Sequence, residues 1–189
     1  MGKRAKPELS AAELKRKGVP APQSGLERAM LEGYKEDMMA FMDAHPAALA
    51  EAIMLAPTDR QPYAWRAAWL INTRMEDNDA RVRPAIDGLL AALPERADGH
   101  QREILRILTR MDLNDEQEGT LFNHTVAFWE DVRKKPALRW FAIRFILQML
   151  AKYPDLEGEV KVLTQRPYLQ PLSPGVRRSV ERMLAKVFG

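Results

Sequence analysis

Helical spacing that returns every 36–38 residues constrains this chain more than any other feature. The segments "AWLINTRM" (68–75) and "ILRILTRM" (104–111) superpose at an offset of 36. A further 38 residues on, "AIRFILQML" (142–150) matches apolar to apolar at Leu105/Ile143, Ile107/Phe145, Leu108/Ile146 and Met111/Met149. Adding 38 again places Val180, Met183, Leu184 and Val187 on Ala142, Phe145, Ile146 and Met149. No period-two alternation follows Leu26, so strands are not expected. A two-helix unit of this length cannot bury its apolar face alone, and stacking its neighbours does so.

Start and stop signals divide the chain into predicted helices near 26–43, 46–56, 60–75, 80–93, 99–111, 115–133, 137–152, 155–165 and 174–188. Pro46, Pro136 and Pro174 suit the first helical position, where no amide donor is required. Ser173 stands as a cap before Pro174, while Asp98 and Asn114 have Gln101 and Gln117 three residues on. Pro94 should end the helix before it, and Pro84 either begins a helix or bends one. Upstream, Ser10 and Glu13 form a capping box for a short polar helix, and "VPAPQSG" (19–25) reads as a linker. Residues 1–24 are therefore expected to be a basic arm, mobile or laid on the body, with 25–189 as the repeat domain.

Charge is unevenly placed. Residues 1–24 carry net +4, residues 25–132 net −9 and residues 133–189 net +8, within a total of +3. Such polarity points to an acidic partner or to self-contact. The arm pairs "KR" with "KRK", the outline of a bipartite nuclear signal, though a flexible basic tether describes it as well. The longest apolar runs fall far short of the roughly 20 residues of a membrane span, and the N-terminus lacks the apolar core of a secretory signal. With no cysteine, thiolate chemistry is excluded, and a cytoplasmic location is expected.

The repeat offsets also align polar positions. Arg66, Arg102, Trp140 and Arg178 fall in one row, Leu70, Arg106, Arg144 and Arg182 in a second, and Arg74, Arg110, Gln148 and Lys186 in a third. Nine of these twelve positions are basic, where 29 Lys and Arg in 189 residues would supply about two. Row members on one helix are four apart and share a face. The candidate ligand-binding ridge is thus Arg66, Arg102, Arg106, Arg110, Arg144, Arg178, Arg182 and Lys186. Two readings stay open: a ridge for an anionic ligand, or a solvated face paired with carboxylates such as Asp112, Asp115 and Glu116.

The stretch "LRWFAIRFILQML" (138–150) sharpens the point. Arg144, Gln148 and Lys152 form a narrow polar stripe on a helix otherwise suited to burial. One thin edge stays open and Arg144 is expected to occupy it, since a fully buried, unpaired guanidinium would be prohibitive and it must reach water or a carboxylate.

Catalytic signatures are sparse. His45, His100 and His124 lie far apart without metal-ligand spacing, and no Gly-rich phosphate loop or nucleophile elbow occurs. No metal or cofactor is expected. "MEDNDA" (75–80) and "DLNDEQEG" (112–119) lack the EF-hand glycine and glutamate, and their acids suit helix N-termini instead. Trp129 and Trp140 are the aromatic candidates for a ligand surface, although core packing is expected for at least three of the four tryptophans. Met38, Met39 and Met42 with Phe41 read as core filler.

The fragments "WRAAWLI" (65–71) and "QREILRIL" (101–108) resemble the HEAT/armadillo-type α-solenoids over roughly residues 45–189. That resemblance implies an all-α, right-handed α–α superhelix of four to five helical hairpins, acting as a non-catalytic scaffold for an acidic protein segment. The same superfamily includes HEAT-like DNA glycosylases, which makes nucleic-acid binding the alternative function. Those enzymes carry a Trp and a catalytic Asp one helical turn apart. Here neither Asp nor Glu follows any Trp by four residues.

Overall fold

The computed structural model describes residues 10–189, and these are helical with no strand among them. The charges at Lys3, Arg4 and Lys6, half of the basic arm, lie outside the described residues. Two compact units divide at Ala92 and Leu93.

The first unit contains α1 (Ala11–Arg16), α2 (Gly25–Glu32), α3 (Lys35–Ala44), α4 (Ala48–Leu55), α5 (Tyr63–Arg74) and α6 (Ile86–Ala92). α4 and α5 form its main hairpin, and α2 packs on both. Ala64, Ala67 and Ala68 are fully buried on α5, where small side chains let backbones approach closely. Ser10 and Glu13 do form the capping box of α1. The linker is laid on the body: Tyr63 donates its hydroxyl hydrogen to the Pro20 carbonyl at 2.6 Å, and Arg60 donates to the Ala21 carbonyl at 2.6 Å. Arg60 also forks onto the buried Glu27.

The predicted single helix 26–43 is two, broken at Gly33. A Cβ there would sit 2.6 Å from the Ala29 carbonyl oxygen, so only glycine allows this turn. The Tyr34 amide then donates to Asp37 at 2.9 Å and restarts the chain as α3. Pro46 stands two residues before α4 rather than inside it. Pro84 is the second residue of a short 3-10 turn, Arg83–Ala85, that leads into α6. "MEDNDA" is a turn rather than a helix start. Asn78 there has φ 54°, and Asp79 accepts the amides of Glu76 and Arg81. Met38 and Met42 are buried as expected, while Met39 and Phe41 are half-exposed.

The second unit contains α7 (Asp98–Leu108), α8 (Asp115–Glu130), α9 (Pro136–Lys152), α10 (Glu157–Leu163), α11 (Arg166–Leu169) and α12 (Pro174–Phe188). α8 and α9 form a hairpin, and α9 also packs against α7, α12 and α10. This explains why α9 is apolar nearly all round: Ala142, Ile143, Phe145, Ile146, Leu147 and Met149 are buried. Asn114 and Gln117 make the capping box of α8, and Pro136 and Pro174 open α9 and α12. Asp98 is not a cap. Its carboxylate takes Lys134 at 3.1 Å and the Lys135 amide at 2.7 Å, while Gln101 turns back to the carbonyls of Leu93 and Pro94. Ser173 precedes Pro174 but makes no side-chain cap bond.

Arg139 is buried at 1% exposure and forms no ion pair with a carboxylate among the described residues. Its Nε donates to the Trp129 carbonyl at 3.0 Å and its Nη2 to the Tyr168 carbonyl at 2.7 Å, with the guanidinium 4.5 Å from the Trp129 ring centre. Those carbonyls belong to the last turn of α8 and to the short α11, where intrahelical donors run out. Arginine thus resolves a hydrogen-bonding deficit at two helix ends, while Arg144 occupies the exposed edge as expected.

Candidate functional site

α9 leaves a strip of its side chains uncovered. Arg144 and Gln148 are exposed, and Trp140 and Phe141 are half-exposed. Two neighbouring helices join this strip. From α7, Arg106 lies over the Phe141 ring at 5.7 Å. Phe141 meets Trp140 edge to face at 4.8 Å, and Arg144 lies 5.7 Å from the Trp140 ring centre. Trp140 then donates its indole N–H to the Ser179 hydroxyl on α12 at 3.0 Å, next to Arg178. The result is a ladder in which the guanidinium groups of Arg106 and Arg144 flank the edge-to-face pair Phe141 and Trp140, with α12 tied on through Ser179.

The arginines of the ladder are not equally free. Arg102 and Arg106 share the fully buried Glu103, at 2.5 Å and 2.8 Å. One carboxylate between two guanidinium groups leaves a surplus positive charge there. Arg144 has no carboxylate partner among the described residues and keeps only its aromatic contact. Arg178, Arg182 and Lys186 are exposed on α12, where Glu181 stands among them as a local counter-charge.

Three candidates depart from the predicted ridge. Arg66 is half-buried, and its guanidinium donates to the Met30 carbonyl in the last turn of α2. Burial pushes its pKa down, so it ties α5 to α2 rather than presenting charge. Arg110 lies past the end of α7 in a half-buried turn, which breaks the third row. In that row Arg74 donates to the Met39 carbonyl and pairs with Asp43 at 2.8 Å. Trp129 is fully buried, donating to the Leu163 carbonyl at 2.7 Å, and offers no surface to a ligand.

The tryptophans divide otherwise than expected: only Trp129 is core, whereas Trp65 is 37% exposed and Trp69 and Trp140 are half-exposed. Sequence reasoning missed Phe141 and Glu103. Phe141 was legible as the neighbour of Trp140, and Glu103 as the acid three residues before Arg106.

The histidines do not converge. His45 contacts the Phe41 carbonyl, His100 is buried on α7, and His124 stacks on Phe128 with its pKa pushed down by burial. Among the described residues no three His, Cys, Asp or Glu side chains gather to hold a metal. No described helix is long and apolar enough to cross a membrane.

A family model for the HEAT repeat domain matches residues 23–187. No curated protein and no solved structure matches the chain.

Proposed function

Because the chain belongs to the HEAT repeat family, we propose that it is a cytoplasmic, non-catalytic scaffold that holds an acidic protein segment on the ladder of its second unit. One observation carries this reading. Arg106 of α7 and Arg144 of α9 flank the edge-to-face pair Phe141 and Trp140 of α9, so one surface supplies both apolar stacking area and fixed positive charge. Guanidinium groups already backed by aromatic rings lose little freedom on pairing with a carboxylate, and the planar fork can take it with two hydrogen bonds. Arg102, Arg178 and Arg182 extend the positive field and steer an anionic segment toward the ladder. Arg66 and Trp129 take no part in this surface.

The test is binding of a fluorescent Glu-rich peptide containing one tyrosine, titrated in parallel with a short random duplex. The variant Arg144→Glu with Arg178→Glu changes only exposed side chains, so its fold should persist. Its affinity for the peptide should fall by roughly tenfold or more, about 1.4 kcal/mol. Tighter binding of the duplex, with log affinity falling by about 0.9 per phosphate contacted as log salt rises, would transfer the ladder to nucleic acid. Unchanged peptide binding in the variant would refute the assignment.

A further inference from the structure

We propose that the second unit has another docking surface, along α8, which takes a basic amphipathic helix of a partner protein. The inference does not depend on the ladder, which uses α7, α9 and α12.

α8 buries Leu121, Thr125, Phe128 and Trp129 in the core. Two cavities of about 500 and 400 Å³ open along the rest of the helix, and Phe122 forms a wall of both. The first has an apolar lining of Phe122, Met149, Tyr153 and Leu156, and the second continues it with Val126, Val162 and Leu163. Val162 is 52% exposed and Tyr153 38%. Paired apolar hollows on either side of one aromatic ridge are what the side chains of a docking helix require.

The rim is acidic. Asp115, Glu118 and Asp155 border the first hollow, and Glu130 and Glu159 the second, while among the described residues no Lys or Arg lines either hollow. The nearby cations are already engaged: Lys152 pairs with Glu118 at 2.7 Å and Lys161 with Glu157 at 2.6 Å. Asp115, Asp155, Glu130 and Glu159 are exposed, and no cation pairs with them among the described residues. An apolar trough inside such a rim repels acidic helices and favours one carrying Lys or Arg beside its apolar stripe.

Length and shape narrow the occupant further. The 16 residues of α8 span about 24 Å, which matches a partner helix of about 16 residues. Phe122 and Val126 are one turn apart and form a single ridge, so apolar partner residues at matching helical spacing can straddle it. Gly119 lines the first hollow and is exposed, and a Cβ there would meet nothing within 4 Å. That open space receives a side chain from the partner. A second copy pairing symmetrically through this surface would oppose like charges and is disfavoured.

The experiment uses the full chain and a labelled peptide of about 16 residues, built from Lys and Leu at helical period. A peptide of the same composition in scrambled order serves as the control. Anisotropy at near-physiological salt should show the amphipathic peptide binding roughly tenfold tighter than the scrambled one. Gly119→Leu fills the hollow while improving helix propensity, so it should weaken binding roughly tenfold with thermal stability retained. Glu130→Lys with Glu159→Lys should do the same, and Arg144→Glu with Arg178→Glu should leave this binding unchanged. Equal binding of both peptides, no binding, or indifference to Gly119→Leu would overturn the proposal. So would a dimer in sedimentation that Gly119→Leu dissociates, because the trough would then hold a second copy.

Discussion

Replacing Arg139 with methionine separates two accounts of a buried cation. In the first, the guanidinium supports the fold by serving the carbonyls of Trp129 and Tyr168 at 3.0 and 2.7 Å. In the second, it is a tolerated burden that an apolar side chain would improve upon. Methionine keeps most of the stem's packing but donates nothing. Each buried carbonyl left without a donor costs about 1–3 kcal/mol, and the lost contact with the Trp129 face adds about 2 kcal/mol. Against this stands relief of the desolvation that pushes the Arg139 pKa down; replacing buried ionic groups by apolar ones recovers about 1–4 kcal/mol in favourable cases. The carbonyls outweigh that relief because they stay behind after substitution, whereas favourable replacements remove both partners. A net loss of about 3 kcal/mol follows for Arg139→Met. Arg139→Lys should lose roughly half as much, since one ammonium serves one of the two carbonyls well and cannot stack as a planar fork. In urea unfolding followed by circular dichroism, with a slope of about 2 kcal/mol per molar, the methionine variant's transition should move down by about 1.5 M. A midpoint equal to or above that of the parent chain would refute the reasoning.

Two further outcomes concern stability. Asn114→Ala deletes the capping box of α8 and should cost about 1 kcal/mol in the same assay, with Asn114→Ser close to the parent. Acid should destabilise the chain by a defined route. Arg133 holds the Asp131 carboxyl down to about 2. Burial opposes the charges of Glu27 and Asp98, but Arg60 with the Gln23 amide, and the Lys135 amide with Lys134, outweigh it and lower both. Groups depressed in the folded state contribute stability above their unfolded values, near 4, and lose it as pH falls through the folded ones. His124, depressed by burial, acts in the same direction from about pH 6.5 downward. Urea midpoints should therefore fall slightly from pH 7 to 5, an effect absent in His124→Gln, and steeply below pH 4. A midpoint that rises toward acid would contradict these assignments.

Several features of the fold were readable because they depend on neighbours in the chain. Asn114 with Gln117, Ser10 with Glu13, Pro136 and Pro174 mark helix starts through contacts no more than three residues apart. The break at Gly33 was also written locally, in a glycine followed by an acid that accepts the Tyr34 amide. It was missed because apolar spacing continues across it. Asp98 failed as a cap because Lys134 and Lys135, a full repeat away, compete for its carboxylate.

The candidate surface divides in the same way. A repeat offset assigns each arginine an angular position on its helix, and from sequence alone it sets Arg106, Arg144 and Arg182 in one expected row. Angular position does not say what lies above a side chain. Met30 claims Arg66, the carbonyls of Trp129 and Tyr168 claim Arg139, and Glu103 holds Arg102 and Arg106, while Arg144 has only a tryptophan ring. Periodicity, caps and proline positions thus determined an all-helical repeat chain. Only tertiary packing decided which cations serve the interior and which face outward, because a guanidinium on a long flexible stem goes to whichever unsatisfied oxygen the fold brings within reach.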